Sequence, residues 1–352
     1  MQSPKILSGN GCLSQMKNHL HGPVVVISDQ GLASAGVAQK VAALLGAEEC
    51  FTFLCGEPTT ADVDRAAALL RDRPATVVGL GGGSALDLAK LAASVALGEA
   101  SADAYGECLT PLPGKLKTVL IPTTAGTGSE MTRTAVFTNS LGRKTWAWGE
   151  ELQAEVAVLD PDLTCGLPLA PTIFTAVDAL SHALEASTGK AADKLTLQLA
   201  RQAVEIIPRA LKKVMLDLSD LEAREDLLNA SGLAGIVLNS GGTGLAHALA
   251  HALGTLVKVP HGLAIAWALR TTVEWNGADC YRPFPWLAPE PAKILCGWLD
   301  SLPLAALPDF DPQELARAMR YPENRIILDN NPRPVTDEDI PHLCEAFKKA
   351  RL

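Results

Sequence analysis

Three runs of consecutive apolar residues, rich in valine and each leading into a turn and a helix-like pattern, most constrain how this chain can fold. They are Pro23-Val24-Val25-Val26-Ile27-Ser28, Ala75-Thr76-Val77-Val78-Gly79-Leu80 and Lys117-Thr118-Val119-Leu120-Ile121. A strand with one wet face alternates apolar and polar residues, whereas a strand that is apolar throughout must be covered on both faces. That is the condition of a parallel sheet lying between layers of helix. Helical patterns over 32–45 and 84–96 supply the cover, and Val156–Leu159 reads as a last strand before Asp160-Pro161. Beyond Pro168 the β-rich runs nearly vanish. Residues 171–187, 191–215, 221–239, 244–253 and 261–273 all read as helices, while 276–332 is proline-rich and irregular, with one helix near 311–320. The expectation is an α/β domain over residues 1–165 and an all-helical domain over 166–352.

Composition excludes several function classes. Of 352 residues, 48% are hydrophobic and 20% charged, which is ample for two cores and too apolar for a disordered chain. The formal charge of -9 and the lack of a long basic run argue against nucleic acid or an anionic membrane as partner. Leu227–Val257 contains no Asp, Glu, Lys or Arg, yet Asn239-Ser240-Gly241-Gly242-Thr243-Gly244 interrupts it. Neither half reaches the roughly 20 residues of a membrane span, so two buried helices are expected. Eight cysteines without a CxxC pair, and a start lacking the pattern of a signal peptide, point to the reducing cytoplasm.

Histidine placement carries the strongest chemical signal. Of seven histidines, four (His182, His247, His251 and His261) fall in the helical half. Asp178 and His182 are four apart on one expected helix, and His247 and His251 are four apart on another, so each pair shares a helix face. His261, between Pro260 and Gly262, sits where a helix would begin. One carboxylate with several imidazoles suits Fe²⁺ or Zn²⁺. The competing reading is that each histidine is an ordinary core or helix-surface residue.

Two loops follow strands. Gly79-Leu80-Gly81-Gly82-Gly83-Ser84 leads into a helix whose N–H groups can meet a phosphate, although it is not the GxGxxG of a first Rossmann strand. Asp87 in that helix is otherwise a first-turn acid favoured by the helix dipole. Pro122-Thr123-Thr124-Ala125-Gly126-Thr127-Gly128-Ser129-Glu130 offers hydroxyls for ribose and phosphate, or is merely a capping loop. Open α/β sheets bind ligands at such strand ends. Asp29, ending the first run, either binds ribose hydroxyls or caps the next helix. Lys144 reads as a solvated lysine or a cofactor contact, and Trp146 and Trp148 as packing on one strand face.

GGGSALDLAK (81–90), IPTTAGTGSE (121–130), DALSHALEA (178–186), GLAHALAHALG (244–254) with VPHG (259–262), and NNPRP (330–334) resemble, in order and spacing, the iron-containing group III alcohol dehydrogenases. The resemblance spans nearly the whole chain. It implies a dehydroquinate synthase-like fold, in which an NAD(P)-binding α/β domain precedes a helical metal-binding and substrate domain. Metal ligands would then be Asp178, His182, His247 and His261, holding Fe²⁺ with Zn²⁺ as the alternative, and His251 would relay protons. Gly82, Gly83 and Ser84 would hold the pyrophosphate, Asp87 would lie near the nicotinamide, and Thr123, Thr124 and Thr127 would contact the rest of the cofactor. Asp29 would favour NAD over NADP, and Lys144 would reach the nicotinamide ribose. The chain departs from the family at Ala176, at Ala252 and in a shortened, Trp- and Pro-rich stretch over 271–325. The implied activity is hydride transfer between NAD(P)(H) and a small alcohol or aldehyde, in a homodimer or larger homo-oligomer. Two alternatives stand beside it: a dehydroquinate synthase-like enzyme that uses NAD transiently, and a non-catalytic assembly protein that kept the fold.

Overall fold

The computed structural model describes residues 3–20, 22–54 and 56–350. Met1, Gln2, His21, Cys55, Arg351 and Leu352 lie outside the described residues. The chain divides into two compact units, residues 1–167 with 219–232 and residues 168–218 with 233–352. In the first unit the order is β1 (Lys5–Ser8), β2 (Val24–Asp29), α1 (Gln30–Ser34), α2 (Val37–Leu45), β3 (Glu49–Phe53), α3 (Thr60–Leu70), β4 (Thr76–Gly81), α4 (Gly83–Val95), β5 (Lys117–Pro122), β6 (Thr134–Thr138), β7 (Lys144–Trp148) and β8 (Val156–Leu159).

Six strands form one wholly parallel sheet in the order β1-β8-β5-β4-β2-β3, and β6 and β7 pair as a separate antiparallel hairpin. The apolar runs behave as their composition requires. Val25 and Ile27 of β2 face one core with Val77, Leu120 and α4, while Val24 and Val26 face another with Val78, Val119 and α2. After β2 the chain moves to one side to make β3, then returns to the other side to make β4. Such a reversal opens the crevice at the carboxyl ends of the two strands where this class of sheet takes its ligands. Asp29 closes β2, Gly81 closes β4, and Thr123 follows β5.

The second unit is helical: α5 (Leu169–Thr188), α6 (Lys194–Leu216), the later part of α7 (Leu221–Gly241), α8 (Leu245–Leu256), α9 (His261–Asn276), α10 (Ala278–Tyr281), α11 (Pro291–Asp300), α12 (Pro312–Met319), α13 (Pro322–Asn330) and α14 (Asp339–Ala350). The parallel sheet and helical second half are as the sequence leads one to expect.

Several details differ. The helix expected over 32–45 is two helices, parted at Gly36 with φ +73°. The stretch over 276–332, expected to be irregular but for one helix, holds α10 to α13. Pro291, Pro312 and Pro322 each occupy a first helical turn, where the missing N–H costs nothing and the fixed φ favours the helix. Prolines that read as breaks are helix starts. Asp87 is not a first-turn acid, because α4 begins at Gly83 and carries no acid in its first turn. Among the described residues no helix is long and apolar enough to cross a membrane, and Leu227–Val257 is split between α7 and α8.

Candidate functional site

Helix α5 brings the polar cluster of the second unit together. Along it Asp178, His182 and Glu185 recur at helical spacing on one face, and all three are buried. His247 and His251 lie one turn apart on α8, and His261 is the first residue of α9. A Cβ on Gly262 would stand 2.5 Å from the Phe174 carbonyl oxygen, so only glycine lets the start of α9 press against the α5 backbone one turn before Asp178. That contact delivers His261 to the cluster.

The Nε2 atoms of His182, His247 and His261 stand 3.8, 3.6 and 3.8 Å from a single oxygen, Asp178 Oδ1. Asp178, His247 and His261 offer ligand atoms within 4.8 Å of one another. The His182 ring stacks on His247 at 4.6 Å between centroids. Asp178 Oδ1 and His247 Nε2 are buried and make no hydrogen bond, their separation being too long for one. Buried polar atoms left unmatched cost about 1–3 kcal/mol each, so this set is built for something between them. Burial works against a charge on Asp178, but the imidazoles of His182, His247 and His261 outweigh it and hold the carboxyl well below the usual carboxylate range. A fixed carboxylate surrounded by imidazole nitrogens matches the donors of a divalent transition metal.

In the first unit, α4 starts at the end of β4 with Gly82 as its cap and no side chain on its first N–H groups. A Cβ on Gly83 would lie 2.6 Å from Thr127 Cγ2, which makes glycine obligatory for the two loops to meet. At Gly82 a Cβ would meet only Thr124, at an ordinary 3.5 Å. Internal packing therefore does not demand glycine there. Thr123 is buried and donates its backbone N–H to Gly81 O at 2.9 Å, while Ser84, Thr124 and Thr127 are half-buried on the same rim. Bare helix N–H groups, hydroxyls and a glycine cradle fit a pyrophosphate and ribose.

Known proteins resemble this chain in both sequence and fold. The sequence model of the iron-containing alcohol dehydrogenases matches residues 3–161, and that of the Fe-containing alcohol dehydrogenase C-terminal domain matches residues 172–300. The chain belongs to the iron-containing alcohol dehydrogenase family. It is 37% identical over 287 residues to the probable alcohol dehydrogenase EutG of Escherichia coli K12, covering 80% of this chain and 72% of that protein. Against 1-propanol dehydrogenase PduQ of Citrobacter freundii it is 34% identical over 280 residues, covering 78% and 72%. The crystal structure of sulfoacetaldehyde reductase from Bifidobacterium kashiwanohense in complex with NAD+ superposes with a TM-score of 0.86 at 27% identity, over 99% of this chain and 98% of that one. As a member of the family, the protein is a metal-dependent oxidoreductase that uses iron and NAD in converting alcohols and aldehydes.

Other residues singled out in the sequence take definite places. Asp29 Oδ1 accepts the Leu32 N–H at 2.9 Å and so caps α1, while Oδ2 lies 3.2 Å from where a Cβ on Gly81 would be. Both oxygens of Asp87 already accept hydrogen bonds, from Ser129 Oγ at 2.5 Å and Val136 N at 2.9 Å. Lys144 pairs with Glu57 at 2.8 Å. Trp148 is exposed, with the Arg133 guanidinium 4.9 Å from its ring centroid. His251 is half-buried, 5.5 Å from the His261 ring and 6.0 Å from that of His247.

Glu185 is the residue that sequence reasoning missed. It is buried, and its Oε2 accepts from His247 Nδ1, which turns Nε2 of that ring toward Asp178. Its Oε1 accepts the Ala246 N–H at 2.6 Å, closing the open start of α8. Asn331 Oδ1 takes the neighbouring Leu245 N–H at 3.3 Å, and Asn330 Nδ2 donates to the carbonyls of Gly241 and Thr243 at 2.8 Å. The NNPRP motif is thus a clasp on the start of α8. A carboxylate three residues beyond His182 on its own helix was the available signal for Glu185.

Carboxylates that orient ligating histidines are worth about 10–100-fold in metal affinity. Glu185→Gln is expected to lose that much affinity for Fe²⁺ or Zn²⁺, measured by chelator competition, with the helical circular dichroism unchanged. A second carboxyl carries a pH dependence. Burial pushes Glu130 up from 4.5 to about 7, against its own backbone bond and the attraction of Lys90. The folded protein therefore keeps this proton through pH 4.5–7 where the unfolded chain has shed it. The stability this group supports is full below pH 4.5, declines across that window and is gone above pH 7. Glu130→Gln is expected to raise stability at pH 8 by about 1–3 kcal/mol relative to the parent, and to leave it unchanged near pH 4, in urea denaturation.

Proposed function

We propose that Asp178, His182, His247 and His261 hold the iron, and that Gly82, Gly83, Ser84, Thr123, Thr124 and Thr127 hold NAD, in an enzyme that interconverts a small alcohol and its aldehyde. The convergence of three imidazole Nε2 atoms on one buried carboxylate oxygen carries this reading. When bound, the metal supplies Lewis-acid polarisation of the substrate oxygen, and the nicotinamide takes or gives the hydride. The protein residues prepare this. Glu185 holds His247 in the tautomer that leaves Nε2 free to donate electrons, and burial of Asp178 keeps its charge from being screened by water. Alcohol oxidation releases one proton with each hydride transferred. His251, half-buried beside His247 and His261, would pass that proton from its imidazole to solvent, a role its nearness to both rings supports.

Asp29 favours NAD, because a carboxylate at the end of β2 accepts ribose hydroxyls and repels the extra phosphate of NADP. Two relatives, 1-propanol dehydrogenase and sulfoacetaldehyde reductase, are named for small substrates and support this reading, while a third is a long-chain-alcohol dehydrogenase. Seven free cysteines among the described residues favour a reducing, cytoplasmic setting, and a homodimer or larger homo-oligomer is the proposed assembly.

The test is nicotinamide absorbance under anaerobic conditions, with Fe²⁺- or Zn²⁺-loaded protein, NADH or NADPH, and a panel of small aldehydes. Metal- and aldehyde-dependent loss of NADH is expected, and stoichiometric metal without any turnover would make the protein a non-catalytic relative. Asp178→Ala and His261→Ala are expected to lose both bound metal and turnover while still binding NADH. Wild-type activity in both would remove these residues from the site. Asp29→Asn keeps the α1 cap and discards the charge, so it is expected to shift the NAD/NADP preference about tenfold toward NADP, close to the roughly 1 kcal/mol of one well-hydrated charge–charge contact at about 4 Å. An unchanged ratio would leave Asp29 only its cap.

A further inference from the structure

A cleft within the helical unit has no part in the chemistry above. Its volume is about 440 Å³, within the roughly 300–1,000 Å³ of small-molecule sites. Ser187 and Thr188 line it from the last turn of α5, Asn276 from the end of α9, Cys280 from α10, and Arg333 from the segment after α13. At about 1.5 Å of rise per residue, Thr188 lies about 15 Å along α5 from Asp178, and Asn276 about 22 Å along α9 from His261. A small molecule held here does not touch the metal ligands.

Arg333 is the one charged residue on the wall. Its guanidinium lies over the Trp275 ring, 3.6 Å from the centroid, and donates one of its five N–H groups to the Trp275 carbonyl at 2.7 Å. Stacking and that bond fix the orientation of the fork. Arg333 makes no ion pair among the described residues. Asp339, a carboxylate that feels its charge, is itself engaged by the Thr336 N–H at 2.8 Å and hydroxyl at 2.6 Å. An oriented guanidinium with donors to spare suits a carboxylate, which it can meet with two parallel bonds.

The α5 residues have the opposite character. Ser187 gives its hydroxyl hydrogen to the Ala183 carbonyl at 2.5 Å, and Thr188 gives its own to the Leu184 carbonyl at 2.8 Å. What both oxygens retain is lone pairs, and they stand at the negative end of the α5 dipole, which favours a cation. Pro283 and Pro332 add apolar surface without an N–H. Cys280 is a wall and not a nucleophile, because burial raises its thiol and keeps the proton on.

We propose that this cleft binds a small amino acid as its zwitterion, the carboxylate on Arg333 and the ammonium on the hydroxyl oxygens of Ser187 and Thr188. A simple anion uses the guanidinium and leaves the acceptors at the negative helix end unmatched. A simple cation is repelled by Arg333. A dipolar ligand answers both. The rival reading makes Arg333 only a closure for the end of α9, a task that occupies a single N–H. The proposal is independent of the metal and NAD assignments, and an amino acid without a hydroxyl or aldehyde is no substrate for hydride transfer.

The experiment is calorimetric titration of the full-length, metal-loaded protein, with and without saturating NADH. The probes are glycine, alanine, 3-aminopropanoate and 4-aminobutyrate, each beside the carboxylate and the amine of the same chain length. At least one zwitterion is expected to bind saturably, at least tenfold tighter than either of its single-charge controls. Arg333→Gln is expected to weaken that binding at least tenfold and Thr188→Val about threefold, with NADH affinity and bound metal at the parent level in both. Arg333→Gln also disturbs the end of α9, so Thr188→Val, which keeps the shape of the wall, decides should the first variant fail to fold. Absence of saturable binding by every zwitterion, equal binding by a single-charge control, or parent-like binding in every folded variant overturns the proposal. Binding that NADH abolishes belongs to the cofactor loops and overturns it as well.

Discussion

A single carboxylate oxygen, buried and without a hydrogen bond, is the constraint around which the helical unit is organised. Asp178 Oδ1 draws three imidazole nitrogens from three different helices to within 3.8 Å. Elsewhere in a protein such an arrangement would be removed by selection or satisfied by a neighbour, since unpaired buried polar groups are rare. Its survival requires that the helices be held close by means other than the cluster itself. Small residues do this. Alanine makes up half of the buried residues of α8 and recurs along the buried face of α5 at Ala176, Ala179, Ala183 and Ala186, and Gly262 brings the start of α9 against the α5 backbone.

The α/β unit uses the same device for a different end. Gly83 lets Thr127 settle on the first turn of α4, and the charges of Asp87 and Lys90 continue the seam one turn further along. In the sheet unit the start of α4 is left open and the supporting contacts lie just behind it, whereas in the helical unit Glu185 and Asn331 close the start of α8. The difference is one of material. The helical unit supports its ligands with carboxylates and amides, whereas the sheet unit supports its loops with an ion pair.

Legibility of all this in the sequence follows the range of the interactions. The central strands were plain because burial on both faces leaves an unbroken apolar run, and the pairs Asp178–His182 and His247–His251 were plain because helical spacing repeats every four positions. Strands β1, β3 and β6 were hidden, since each is short and only partly buried, as in Glu49–Phe53, whereas the alternation of Trp146 and Trp148 had pointed to β7. Proline in 276–332 misled because its two opposite effects, ending a helix and starting one, look the same in one dimension. Glu185 was passed over because a carboxylate on a helix ordinarily faces water. Its partner His247 is 62 positions away, and no local pattern announces such a bond. Lys90 hid for the same reason.

The clasp formed by Asn330 and Asn331 has a consequence for how the site comes into being. Every proposed ligand has been synthesised once the chain reaches His261, yet the side chains that fix the start of α8 arrive only 69 and 70 residues later. Until then the Leu245 N–H and the carbonyls of Gly241 and Thr243 lack these partners. A nascent chain is therefore ligand-complete well before it is site-complete. The helix that carries two of the four histidines is tied down only once Asn330 and Asn331 have been added.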